Sequence, residues 1–91
     1  MNKKRSKLEI IRDILEVINS KNGRIKPTHI LYKSNLSYTM MEEYLNELIT
    51  KEFITIDTSN KSKTYSITEK GADYLSQYKL ISEFTDSFGL G

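Results

Sequence analysis

Few residues in this 91-residue chain are of types that do covalent or metal chemistry, and their spacing keeps them apart. His29 is the single histidine and cysteine is absent, so neither a bis-imidazole nor a thiolate metal set can form, and no disulfide framework exists. The paired carboxylates Glu42 and Glu43 are adjacent, which on a helix splays them about 100° apart and prevents them from flanking one bond. No Ser, His and Asp fall into a nucleophile pattern, and no glycine loop precedes a helix to cradle phosphates. Catalysis, metal and cofactor are therefore not expected. His29 reads as a polar surface group or a phosphate donor beside Arg24, Lys26 and Thr28.

The chemistry that remains is charge. The formal net charge is only +2, but residues 1–33 hold nine Lys and Arg against Glu9, Asp13 and Glu16, about +6, which leaves about −4 for the rest. An uneven balance of this kind suits a surface that meets phosphates on one side. Lys4, Arg5 and Lys7 form a basic arm, Arg24, Lys26 and Lys33 follow, and Lys61 and Lys63 lie in a later polar segment. The six tyrosines do not make one stripe and read as core-rim residues rather than as a stacking platform, with Tyr38 and Tyr44 on the inward side of their helix.

The elements that position these groups follow from local signals. Ser6 and Glu9 make a capping box for a first helix, in which Leu8, Ile11, Ile14, Leu15 and Ile18 form an apolar face widened by Ile10 and Val17. Asn22-Gly23 ends it. Pro27 opens a second helix that carries Ile30 and Leu31 inward and stops at Ser34-Asn35. Asn35 is a turn residue, Leu36 a hydrophobic plug and Ser37 an N-cap, so the third helix, from about Tyr38 to Lys51, crosses the second steeply. Its inward side is Met41, Tyr44, Leu45, Leu48 and Ile49. Its outward side is Thr39, Met40, Glu42, Glu43, Asn46, Glu47 and Thr50. The stretches 53–56 and 64–67 are β-branched and aromatic around a polar turn and pair as a hairpin. Thr68 caps a last helix from about Glu69 to Phe84.

A helix-turn-helix followed by a hairpin is a winged helix, mainly α, used mostly to bind DNA and sometimes protein. The chain divides into a winged-helix domain at 1–67 and a C-terminal helix with a short tail at 68–91. No run approaches the roughly 20 apolar residues of a membrane helix, and the basic N-terminus lacks a signal-peptide core, so a cytoplasmic protein is the expectation.

Three separated segments, 4–11, 30–38 and 65–75, resemble in order the small archaeal winged-helix DNA-binding proteins, the family of the ten-kilodalton Sulfolobus chromatin protein and related predicted transcriptional regulators. The resemblance implies binding of duplex DNA by the third helix, the wing and the basic residues around the first two helices, and a homodimer held by the C-terminal helix. On this chain the expected phosphate contacts are Lys4, Arg5, Lys7, Arg24, Lys26, Lys33, Lys61 and Lys63. Ser37, Tyr38 and Thr39 would orient the third helix, and Thr39, Met40, Glu43 and Asn46 would face bases. Leu75, Tyr78, Ile81, Phe84 and Phe88 form the expected dimer seam. The acidic outward face, with Glu42, Glu43 and Glu47, keeps open a second use as a protein-interaction module.

Overall fold

A computed structural model describes residues 6–20, 25–59 and 63–89. Four helices and one hairpin follow one another as α1 (Lys7–Ser20), α2 (Pro27–Ser34), α3 (Tyr38–Thr50), β1 (Ile54–Asp57), β2 (Thr64–Ile67) and α4 (Glu69–Ser87). This is the expected winged helix. The capping box is formed, with the Ser6 amide 3.0 Å from Glu9 Oε1 and the Glu9 amide 3.2 Å from Ser6 Oγ, so two of the orphan amides of α1 are satisfied reciprocally.

Between α2 and α3 the chain turns in three residues. Asn35 takes the left-handed conformation (φ 54°, ψ 48°) and Ser37 returns to extended backbone, where its Oγ accepts from the Met40 amide at 3.2 Å. Asparagine tolerates that left-handed position better than most residues. Leu36 packs half-buried against the core.

The far end of α3 closes without a glycine. The helix stops at Thr50, and Glu52 adopts φ 66°. The Phe53 amide bonds back to the Leu48 carbonyl at 2.9 Å and the Glu52 amide to Ile49 at 3.0 Å. That paired closure is a Schellman motif in which a glutamate occupies the place usually given to glycine.

β1 and β2 pair antiparallel in the register Ile54 with Ile67 and Ile56 with Tyr65. A further bridge lies outside the sequence expectation: Ile25 pairs with Tyr65 on the free side of β2, through amide-to-carbonyl bonds of 3.1 and 2.9 Å. Tyr65 thus enters the core itself, not its rim.

One apolar cluster serves every element. Ile10, Ile14, Leu15 and Ile18 of α1 meet Ile25, Ile30, Met41, Leu45, Leu48, Ile54 and Tyr65, with Tyr44, Ile49, Phe53, Tyr74 and Leu75 packed around them. Two inward assignments fail. Leu8 is 58% exposed because it sits in the first turn at the margin of the α1 stripe, and Ile10 takes the buried place instead. Tyr38 is 62% exposed; as the first residue of α3 its ring stays in solvent while its hydroxyl donates to Glu42 Oε1 at 3.0 Å.

α4 continues to Ser87, about one turn beyond the expected end. Its first turn lies close beneath the α3–β1 turn. A Cβ on Gly71 would collide with the Phe53 carbonyl oxygen, so glycine is required there for close approach. Thr68 Oγ1 accepts from the Gly71 amide at 3.1 Å and lies 2.7 Å from the Glu52 carbonyl and 2.9 Å from that of Phe53, sharing its one proton between them. Lys70 Nζ adds a bond to the Lys51 carbonyl at 2.8 Å.

Leu45, fully buried at the centre of α3, tests this packing. Leu45→Ala is expected to lower the unfolding free energy by about 2–5 kcal/mol, the range for an emptied leucine site. Chemical denaturation checks it, and a midpoint near that of the parent protein would mean that the buried side of α3 is misassigned.

Candidate nucleic-acid interface

The outward side of α3 is held from three directions. Its N-terminus is capped by Ser37, its C-terminus is closed by the Schellman bonds and by Lys70, and its inward side is anchored by Met41, Leu45 and Leu48. On the expected outward side Thr50 is exposed and Glu42 and Glu47 are half-buried, and the residues expected to face bases, Thr39, Met40, Glu43 and Asn46, are all in solvent. These last four lie at helical spacings that place them along one flank. Side chains on so constrained a helix project in a fixed pattern, which is what reading a groove needs.

The three carboxylates of this face are not equivalent. Glu42 accepts from the Tyr38 hydroxyl, and that bond, together with the charge of Glu42, raises the pKa of the phenol above its ordinary value. Glu47 Oε2 accepts from Lys7 Nζ at 2.9 Å and from Lys51 Nζ at 3.2 Å. Hydrogen bonds from Lys7 first and Lys51 second hold the Glu47 carboxyl below the usual carboxylate range, and the Lys7 ammonium is correspondingly raised. Glu43 has no salt bridge among the described residues and is the open acceptor of the face.

Lys7, Met40, Glu43, Tyr44 and Glu47 line one shallow groove between the start of α1 and α3. Lys33 lies elsewhere, in a groove with Glu16, Val17, Ser20 and His29. Lys26 is exposed at the N-cap of α2, with no side-chain cap bond, and Lys63 is exposed just before β2. Lys4, Arg5, Arg24 and Lys61 lie outside the described residues. Sequence reasoning missed the Lys7–Glu47–Lys51 cluster, because Lys7 and Glu47 are separated by 40 positions and no local spacing announces their meeting; only the Glu47 and Lys51 pair, one helical turn apart, was legible.

Of the expected seam on α4, Leu75 packs against the chain's own core and Tyr78 lies under the Arg12 guanidinium, 5.2 Å from its ring centroid. Ile81, Phe84 and Phe88 stand 64–66% exposed, with Leu80 beside them, and the rings of Phe84 and Phe88 are 4.9 Å apart. Among the described residues no group of three or more His, Asp and Glu is placed to hold a metal ion. None of their helices is long and apolar enough to cross a membrane.

A capped helix-turn-helix followed directly by a hairpin matches, over residues 4–86, the family model described as winged helix-turn-helix. The chain belongs to that family. An uncharacterized protein of Methanocaldococcus jannaschii, MJ0287, is 38% identical over 79 residues, covering 86% of this chain and 75% of its own. A second from the same organism, MJ0290, is 35% identical over 68 residues, and the chain spans only 29% of its length. The crystal structure of Sso10a-2, a DNA-binding protein from Sulfolobus solfataricus, superposes with a TM-score of 0.79 at 26% identity, covering 92% of this chain and 85% of that one.

The cap that sets the winged helix-turn-helix geometry is separable from charge. Ser37→Ala should lower stability by about 0.5–2 kcal/mol, whereas Ser37→Asp, which also accepts from the Met40 amide, should stay near the parent value. Denaturation curves of the two variants check this, and equal losses would remove the cap as the cause.

Proposed function

We propose that the protein binds double-stranded DNA as a transcriptional regulator or chromatin-associated factor, without catalytic activity. The observation that carries this reading is the outward flank of α3, exposed and rigidly held while the opposite side of the same helix is committed to the core. The likeness to Sso10a-2, a DNA-binding protein, supports it. Affinity comes mainly from phosphate contacts by Lys4, Arg5, Lys7, Arg24, Lys26, Lys33, Lys61 and Lys63, because charge neutralisation with release of counterions needs no base sequence. Backbone amides and hydroxyls at Ser37, Tyr38 and Thr39 orient the helix start against a phosphate. Thr39, Met40, Glu43 and Asn46 face the bases, and Glu43 suits the amino group of cytosine, a donor that a carboxylate accepts from.

The DNA-binding unit is residues 1–67, and 68–91 supply the assembling helix and tail, with the first turns of α4 shared by the core. Four large apolar side chains in solvent, Leu80, Ile81 and Phe84 on the second half of α4 and Phe88 at its C-cap, favour a homodimer. Burying Ile81, Phe84 and Phe88 against a second copy yields roughly 1.5–3 kcal/mol for each side chain fully covered.

Two measurements test the reading. Duplex binding should weaken steeply as salt rises, and Lys26→Gln with Lys33→Gln should flatten the plot of log K against log salt by about 0.9 for each phosphate that is no longer neutralised. Absence of binding at low salt would favour the acidic face of α3 as a docking surface for protein instead. Sedimentation should give a dimer at micromolar concentration that Ile81→Glu with Phe84→Glu converts to a folded monomer; a parent monomer, or a dimer indifferent to both changes, would exclude α4 as the assembling element.

A further inference from the structure

The Lys7–Glu47–Lys51 cluster does little for the fold. All three side chains are substantially exposed, Lys7 and Lys51 by more than half, and exposed ion pairs contribute little to stability because water and salt screen them. Its position is more telling than its strength. Glu47 lies one helical turn beyond Glu43 on α3, and with Met40, Glu43 and Tyr44 it follows the spacing i, i+3, i+4, i+7, so these residues occupy one side of the helix. Across the groove from them stands Lys7, at the first helical position of α1. One carboxylate oxygen therefore receives two ammonium groups, 2.9 and 3.2 Å away, on the face that the DNA reading turns toward the duplex, where Lys7 meets a phosphate. A phosphate oxygen offers an ammonium the same kind of charged acceptor.

Resting on that reading, we propose that Glu47 acts as an internal stand-in for a backbone phosphate: it occupies Lys7 and Lys51 in the free protein, and a duplex must take Lys7 from it to bind. The fold need not rearrange, since only partners are exchanged. The carboxylate sets a threshold, because every duplex competes with an acceptor already in place. Indiscriminate binding is penalised, and the salt dependence is shallower than the number of lysines alone would give. Glu43 lacks this role, having no salt bridge among the described residues although it carries the same charge on the same face.

That difference supplies the control. Binding of a random-sequence duplex is measured against salt for the full chain, Glu47→Gln, Glu43→Gln, and each of them combined with Lys7→Gln and Lys51→Gln. Glu47→Gln should raise affinity about two- to fivefold at low salt, the scale of one exposed ion pair, and steepen the slope by up to about 0.9, the phosphate contact of Lys7. Glu43→Gln should raise affinity less and leave the slope nearly unchanged. With both lysines replaced, the advantage of Glu47→Gln over Glu43→Gln should vanish, as a double-mutant cycle requires of a direct interaction. Equal effects of the two glutamate changes, or an advantage that survives replacement of both lysines, would overturn the exchange while leaving DNA binding intact. Failure of every variant to bind at low salt would overturn the DNA reading and the exchange with it.

Discussion

Burial of Met41, Leu45 and Leu48 in the shared apolar cluster is the interaction on which the other features rest. A chain of this length allows one modest core, and here a single apolar cluster is drawn from α1, α2, α3, the hairpin and the isolated strand residue Ile25. Because α3 commits one side to that cluster, its other side is fixed in solvent. The caps at both ends of α3 then fix where the helix begins and stops. Remove the central leucine and the caps have nothing to orient.

The outward face shows how a modest net charge is arranged locally. Two of its three carboxylates are engaged by neighbours, Glu42 by the Tyr38 hydroxyl and Glu47 by two lysines, so the bare negative charge of this helix is smaller than its composition suggests. Composition counts charges, whereas a ligand meets what remains after pairing.

Legibility in the sequence follows the range of the interaction. The capping box at Ser6 and Glu9, the turn at Asn35, the cap at Ser37 and the cap at Thr68 all involve residues two or three positions apart, and each forms as its spacing predicts. Periodicity places Met41, Leu45 and Leu48 correctly but not Leu8 or Tyr38, because a stripe loses its partners in the first turn of a helix. The bridge from Ile25 to Tyr65, the tight seat of Gly71 and the approach of Lys7 to Glu47 depend on tertiary structure, and no neighbouring residue signals them. Glu52 is silent for another reason: a glutamate in the left-handed position that normally advertises itself by glycine leaves no mark in sequence. Among the candidate site residues, exposure on α3 is legible, whereas the pairing that differentiates Glu43 from Glu47 is not.

Thr68 and Lys70 join the first turn of α4 to the carbonyls of Lys51, Glu52 and Phe53, where α3 ends, and Gly71 lets the two segments nearly touch. Across the hairpin that separates them in sequence, these hydrogen bonds join the helix that faces outward to the helix whose far half stands in solvent. α4 is consequently anchored twice, at Gly71 against the backbone that closes α3 and at Leu75 and Tyr78 against the core and α1. The exposed stretch with Ile81 and Phe84 extends that anchored segment, so whatever covers those side chains is held at a set distance and angle from the outward flank of α3.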